Sequence, residues 1–194
     1  MLFLGDVNSL IFDYETRKKH SGISLSYFIV KQLPVLPPSA YNESDILFIV
    51  PRVLELVYTA WDIVSFADDV WKDSPKPLHS AIEKQWDQSV AEAGFIDSDP
   101  PEWAEIDPEG IPFNPAVWNE DRRARIRAEL DAYYARLYGL TEEELRYILD
   151  PQDVYGEDFP GETFRVLKEK EIKLFGEYRT KRLVLETWEK QKRS

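Results

Sequence analysis

Side chains able to do chemistry are few in this sequence, and they are scattered. Asp153, Asp158, Glu171 and Lys173 come nearest to a reactive set, because their order mimics the Asp…Glu-x-Lys pattern of metal-dependent nucleases. That chemistry gathers carboxylates around Mg2+ and turns the lysine toward the attacking water. Glu171 and Lys173 lie in a run that reads as helix, and residues two apart on a helix point about 200° away from each other. The pattern therefore predicts no metal centre. The loop Asp153 to Gly161 carries carboxylates too, but not at the spacing of an EF-hand. His20 and His79 have no nucleophile or ligand partner at a workable spacing, and both are expected on the surface.

The cations fall in two groups. Arg17, Lys18, Lys19 and His20 close a helical run, where positive charge suits the negative end of the helix dipole; the same group could grip phosphate. Arg122, Arg123, Arg125 and Arg127 spread over several faces of a second helix, the pattern of a solvated surface paired with acids or of a phosphate-binding stripe. The net charge of −12 is uneven: +1 over residues 1–40, −14 over 41–121 and +1 over 122–194. An acidic middle repels phosphate backbones, so any nucleic acid would meet an end of the chain. With no cysteine, disulfides and thiolate metal sites are excluded. No run approaches the roughly 20 apolar residues of a membrane span, and the apolar start Met1–Leu4 is too short for a signal sequence. A cytoplasmic globular chain is expected.

These residues must be positioned by elements that the sequence sketches in order. Leu2–Leu4 reads as a strand. Asp6 or Asn8 can cap a helix whose face is Val7, Leu10, Ile11 and Tyr14, with Gly22 as its left-handed stop. Leu25–Val30 is apolar at every position but Ser26, as in a strand covered on both sides, and Leu33–Pro38 is extended by its prolines. A further helix begins near Glu43, with Pro51 either in a first turn or marking a break after Val50. Leu54, Val57, Trp61 and Val64 carry it to about Asp69. Residues 74–118 hold 7 of the 13 prolines. Within them, a capping box at Ser80–Glu83 opens a helix with the stripe Ile82, Trp86 and Val90, ending at Gly94. From Asn119 the helical signal is strong, with Ile126, Leu130, Tyr133 and Leu137 on one face and Gly139 as the stop. Thr141 and Glu144 then make a capping box, and Leu140 a staple on Leu145, for a helix that ends at Asp150-Pro151. Glu162–Lys192 reads as one helix, kinked at Gly176, burying Phe164, Leu167, Leu174, Phe175, Tyr178, Leu185 and Trp188.

The stretch NSLIFDY, the basic turn with glycine after it, and FIVKQLPVLPP together resemble the closing part of the target-recognition domain in large adenine-specific DNA methyltransferases. These are the type IIG restriction-modification enzymes and their phage-defence relatives; type I specificity subunits are similar. FIVPRVLELVYTAWD, RAELDAYYARLYGLTEEELRYILDP and DVYGEDFPGETFRVLKEKEIKLFGEYRTKRLVLE resemble the extreme C-terminal region of such enzymes. Only about residues 74–118 stand outside the likeness, as an insertion. Such enzymes bind S-adenosylmethionine through a glycine-rich loop and hold the target base with an Asn-Pro-Pro-aromatic motif. Here Gly5 stands alone in Leu2–Asp6, and Asn114-Pro115-Ala116-Val117 lacks the second proline and the aromatic. The resemblance thus implies a non-catalytic C-terminal fragment, or a truncated reading frame, of a longer enzyme. It implies no cofactor in this chain; S-adenosylmethionine, with Mg2+ if the parent also cleaves DNA, belongs to that parent.

The expected architecture is mainly α: a helical bundle with a small β element near the N-terminus, the α+β remnant of a target-recognition domain. Residues 1–38 would end that domain, 39–73 form a helical connector, 74–118 a proline-rich acidic insertion with one helix, and 119–194 the C-terminal helical region. Expected partners are duplex DNA, held weakly and mostly through phosphates, and the N-terminal methyltransferase part of the parent, with no membrane. The expected DNA-facing residues are Arg17, Lys18, Lys19, Ser21, Gly22 and Lys31. The alternative is a free-standing acidic helical module for protein–protein interaction.

Overall fold

A computed structural model of the chain describes residues 1–20, 22, 24–96, 99–160 and 163–192. The helices in chain order are α1 (Leu2–Val7), α2 (Leu10–Lys19), α3 (Tyr27–Val30), α4 (Glu43–Val57), α5 (Val64–Lys72) and α6 (Lys76–Ala93). They continue with α7 (Glu120–Leu137), α8 (Glu142–Leu149), α9 (Pro151–Tyr155), α10 (Arg165–Phe175) and α11 (Arg179–Lys192). The fold is mainly helical, and no strand occurs among the described residues. None of these helices is long and apolar enough to cross a membrane. The chain divides into two compact units, Met1–Leu2 with Tyr41–Ile126, and Phe3–Ala40 with Arg127–Ser194.

In the first unit α4 packs on α6 around Val50, Leu54, Tyr58, Ile82 and Trp86. Asn42 and Asp45 form a reciprocal capping box that starts α4. Pro51 neither begins nor breaks this helix but sits buried inside it. Its ring nitrogen offers no N–H to the carbonyl one turn back, and the adjacent Arg52 sends its guanidinium to the Phe48 carbonyl at 2.9 Å. The expected continuous helix to Asp69 is interrupted. Tyr58 is tied sideways, its carbonyl accepting from Ala116 N–H at 2.8 Å and its hydroxyl donating to Phe113 O at 3.2 Å. The backbone turns extended at Ala60 and resumes as a 3-10 turn, Trp61–Ile63, before α5. Helix α6 begins at Lys76 rather than Ser80, with proline in its first turn, and Gly94 ends it at φ +81°.

In the second unit, Ile11 of α2, Ala128, Ala132 and Ala135 of α7, Leu145 and Leu149 of α8, and Val184 and Trp188 of α11 share a core. The alanines leave only short side chains on that face of α7, so large neighbours fill the space. Gly139 at φ +74° ends α7, and the Thr141–Glu144 box starts α8 two residues later. The single C-terminal helix expected from Glu162 is two helices, because Gly176 adopts the left-handed conformation at φ +76°. Leu174 and Phe175 consequently lie on the surface, while Val184 is wholly buried.

The small β element is replaced by helix. Leu2–Leu4 belongs to α1, and Tyr27–Val30 is the four-residue α3. A strand needs a paired edge for its N–H and C=O groups, and the described chain offers none here. Neither Asp6 nor Asn8 caps α2: Ser9 does, accepting from Phe12 N–H at 3.3 Å. The helix ends at an extended His20, ahead of the Gly22 expected as its stop, and the His20 ring packs against Gly22.

Candidate functional site

The last turn of α2 and the chain up to Gln32 bring most of the expected DNA-facing residues into one region of the second unit. Arg17 donates to both oxygens of Asp13, one turn back, at 2.9 and 3.0 Å, and its guanidinium lies 5.4 Å from the Phe164 ring centre. Lys18 sits 4.7 Å above Tyr14 and 5.9 Å from Tyr147, and a hydrogen bond with Tyr14 holds its pKa above the usual lysine value. Lys19 donates to the Gln32 carbonyl at 2.5 Å, joining α2 to the end of α3. Lys31 lies 4.3 Å over Tyr27. Gly22 is exposed, and a Cβ there would stand 2.7 Å from the His20 ring. Ser21 lies outside the described residues. All four cations are exposed, yet each already has a carboxylate, carbonyl or aromatic face beside it. Phosphate would have to compete with those contacts.

Beside these cations lies an apolar surface. Tyr27 is 74% and Phe28 75% exposed, and Leu25, Val30 and Val35 are also exposed. All but Val35, which lies in the proline-extended stretch, belong to the segment Leu25–Val30 that reads as a doubly covered strand. Their hydrophobicity has no core to satisfy it within the described chain.

Other ionisable groups form structural networks. Glu171 accepts from Thr180 N–H at 2.7 Å and from its hydroxyl at 2.6 Å, capping the first turn of α11. Asp153 is held by Arg146 and Lys181, each at 3.0 Å. Asp150, buried, takes Lys168 at 2.9 Å and Lys181 at 3.2 Å. The nuclease-like residues are thus distributed among separate tasks. Among the described residues no group of three His, Asp or Glu side chains is placed to hold a metal ion. His79 is not a surface residue: it is half-buried, stacked at 3.9 Å on Trp71, with Nε2 2.8 Å from the Trp71 carbonyl. His20 is half-buried as well.

Three buried acids have no signal in the sequence. Glu55 of α4 receives Arg122 Nε at 2.5 Å, Arg122 Nη2 at 2.8 Å and Gln85 Nε2 at 2.7 Å, all three residues being buried. Asp6 accepts from Leu36 N–H at 2.9 Å and Tyr138 O–H at 2.8 Å; burial raises its pKa against these bonds. Asp131 of α7 accepts from Leu10 N–H at 2.8 Å, supplying the first turn of α2 from another helix. Burial pushes the Asp131 carboxyl up to about 7, against that hydrogen bond and the Arg127 charge. Gly5 lies buried inside α1 rather than in a phosphate-cradling loop. The Asn114 side chain donates to Ile96 O at 2.8 Å, and its own carbonyl takes the Trp86 indole at 3.1 Å. Compared with family models, curated proteins and solved structures, the chain matches none.

Proposed function

We propose that this chain is a non-catalytic, DNA-recognition piece of an adenine-specific DNA methyltransferase or restriction-modification enzyme, closing its target-recognition domain and bracing it with C-terminal helices. The observation that carries this reading is the exposed apolar segment Leu25–Val30 beside Arg17, Lys18, Lys19 and Lys31. Hydrophobic side chains uncovered to this extent mark a surface made to lie against another body. In this reading that body is the upstream methyltransferase part, and the neighbouring cations grip phosphates of the same duplex. Phosphate contacts position a protein without reading sequence, so the chain alone binds duplex DNA weakly and without preference.

A shift assay on duplexes of unrelated sequence tests this. If all four cations release counterions, the logarithm of affinity falls against log salt with a slope of about −3.6, roughly 100-fold between 50 and 200 mM. Replacing Arg17, Lys18, Lys19 and Lys31 together by glutamine should abolish binding and its salt dependence. Tight, site-specific binding at physiological salt, or binding indifferent to the fourfold variant, would refute the reading.

A further inference from the structure

Asn114-Pro115 helps to build a groove on the first unit. Asn114 ties Ile96 on one side and the core indole of Trp86 on the other, while Ala116 N–H anchors the next residue to Tyr58 O at 2.8 Å. Pro115 is thereby fixed and buried as part of the lining of a groove of about 400 Å3, together with Trp61, Asp62, Ile96 and Trp103. Trp61 packs against the core of the first unit, so that wall is firm. Trp103 stands on the turn closed by Ala104 N–H to Pro101 O at 2.8 Å and is 64% exposed. A preformed apolar groove costs little to order when a side chain enters it.

The surroundings say what kind of chain enters. Residues 85–121 hold ten carboxylates and not one lysine or arginine. Within that span Glu92 pairs with Arg122 and Arg125, and Asp107 with Lys72. Asp62, Asp99, Glu102 and Glu105, in the groove or on the loop that carries Trp103, are engaged by no ion pair among the described residues. The same unit also shows how it receives a cation on indole: the Arg123 guanidinium lies 3.7 Å from the Trp118 ring centre.

We propose that this groove is a docking site for a basic peptide segment of a partner protein, which seats one apolar side chain between Trp61 and Trp103 and sets its lysines or arginines against Asp62, Asp99, Glu102 and Glu105. The site lies wholly within the first unit and does not depend on DNA binding by the second.

The test uses the full chain and a fluorescein-labelled dodecapeptide of lysines and arginines with one central leucine, followed by fluorescence anisotropy. Saturable binding is expected, weakened about tenfold or more between 50 and 500 mM salt as exposed charges are screened. Replacing the central leucine by serine, or Trp103→Ala in the protein, should each weaken binding at least tenfold. Trp103 is exposed, so the variant keeps the wild-type melting curve; Asp62→Lys provides a second variant and should also weaken binding. The fourfold glutamine variant of Arg17, Lys18, Lys19 and Lys31 should bind the peptide as wild type does. No saturation up to millimolar peptide overturns the proposal. So does binding indifferent to Trp103→Ala and to loss of the leucine, or equal binding of an acidic peptide with the same leucine.

Discussion

Arg122→Met breaks the central polar contact of the first unit, together with the guanidinium's 3.1 Å pair to the half-exposed Glu92. In the native chain Glu55 is bracketed by two guanidinium N–H groups at 2.5 and 2.8 Å and by the Gln85 amide at 2.7 Å, with Arg122 and Glu55 side chains only 6% and 5% exposed. Methionine preserves the length of the stem but removes both charged donors, leaving a buried carboxylate with one amide. Charge-assisted hydrogen bonds contribute about 1.5–3 kcal/mol each, and stripping one partner from a buried pair costs about 3–5 kcal/mol. With a urea m-value of about 2 kcal/mol/M, the unfolding midpoint should drop by roughly 1.5–2.5 M. Trp86, buried next to Gln85, reports this unit by fluorescence, with far-UV circular dichroism as the second probe. Glu55→Gln combined with Arg122→Met removes the orphaned charge and keeps a partner for Gln85. The double variant should regain at least about 2 kcal/mol of the loss, the coupling expected of residues in one network. Arg125→Met loses only a half-exposed pair with Glu92, so it should fall within about 0.5 kcal/mol of wild type. A loss below about 1 kcal/mol for Arg122→Met, or strict additivity in the double variant, would refute the view that burial makes this pair costly to break.

Asp131 governs a pH dependence in the second unit. Its folded pKa near 7 lies above the ordinary aspartate value, so between about pH 4 and 7 the folded chain keeps a proton that the unfolded chain releases. Its contribution to stability is therefore greatest below pH 4 and is lost as pH rises toward 7, by up to about 4 kcal/mol at 1.36 kcal/mol per unit. Asp131→Asn keeps an oxygen for Leu10 N–H and should remove that slope, leaving the variant more stable than wild type at pH 8; parallel urea midpoints from pH 4 to 8 would contradict this. Gly110→Ala would drive a Cβ into the Asp68 carboxylate, which accepts from Ile111 N–H at 2.8 Å. A loss of about 2–3 kcal/mol is expected in chemical denaturation, with Asp68→Ala in the same chain relieving part of it; an unchanged midpoint would mean the carboxylate gives way freely.

Local chemistry was enough for much of the helical framework. The Thr141–Glu144 box, the glycine stops at 94 and 139, and the acidic start of α8 are contacts within a few residues, so their causes sit side by side in the sequence. Gly176 was legible as a bend, but not as the end of one helix and the beginning of another. What required tertiary structure was everything whose partner lies far along the chain. Tyr58 leaves α4 because residues 113 and 116 hold it, and Pro51 stays within that helix because the core covers it. Leu25–Val30 is apolar enough for a buried strand, but a strand exists only where an edge is offered, and there it became a short exposed helix. Glu55, Gln85 and Arg122 stand 30 and 67 positions apart as bonded pairs, and Asp131 serves a helix that begins 121 residues earlier. Periodicity records which way a residue faces relative to its neighbours; it carries no information about which distant charge or backbone amide will be facing it, and that pairing is decided only when the helices pack.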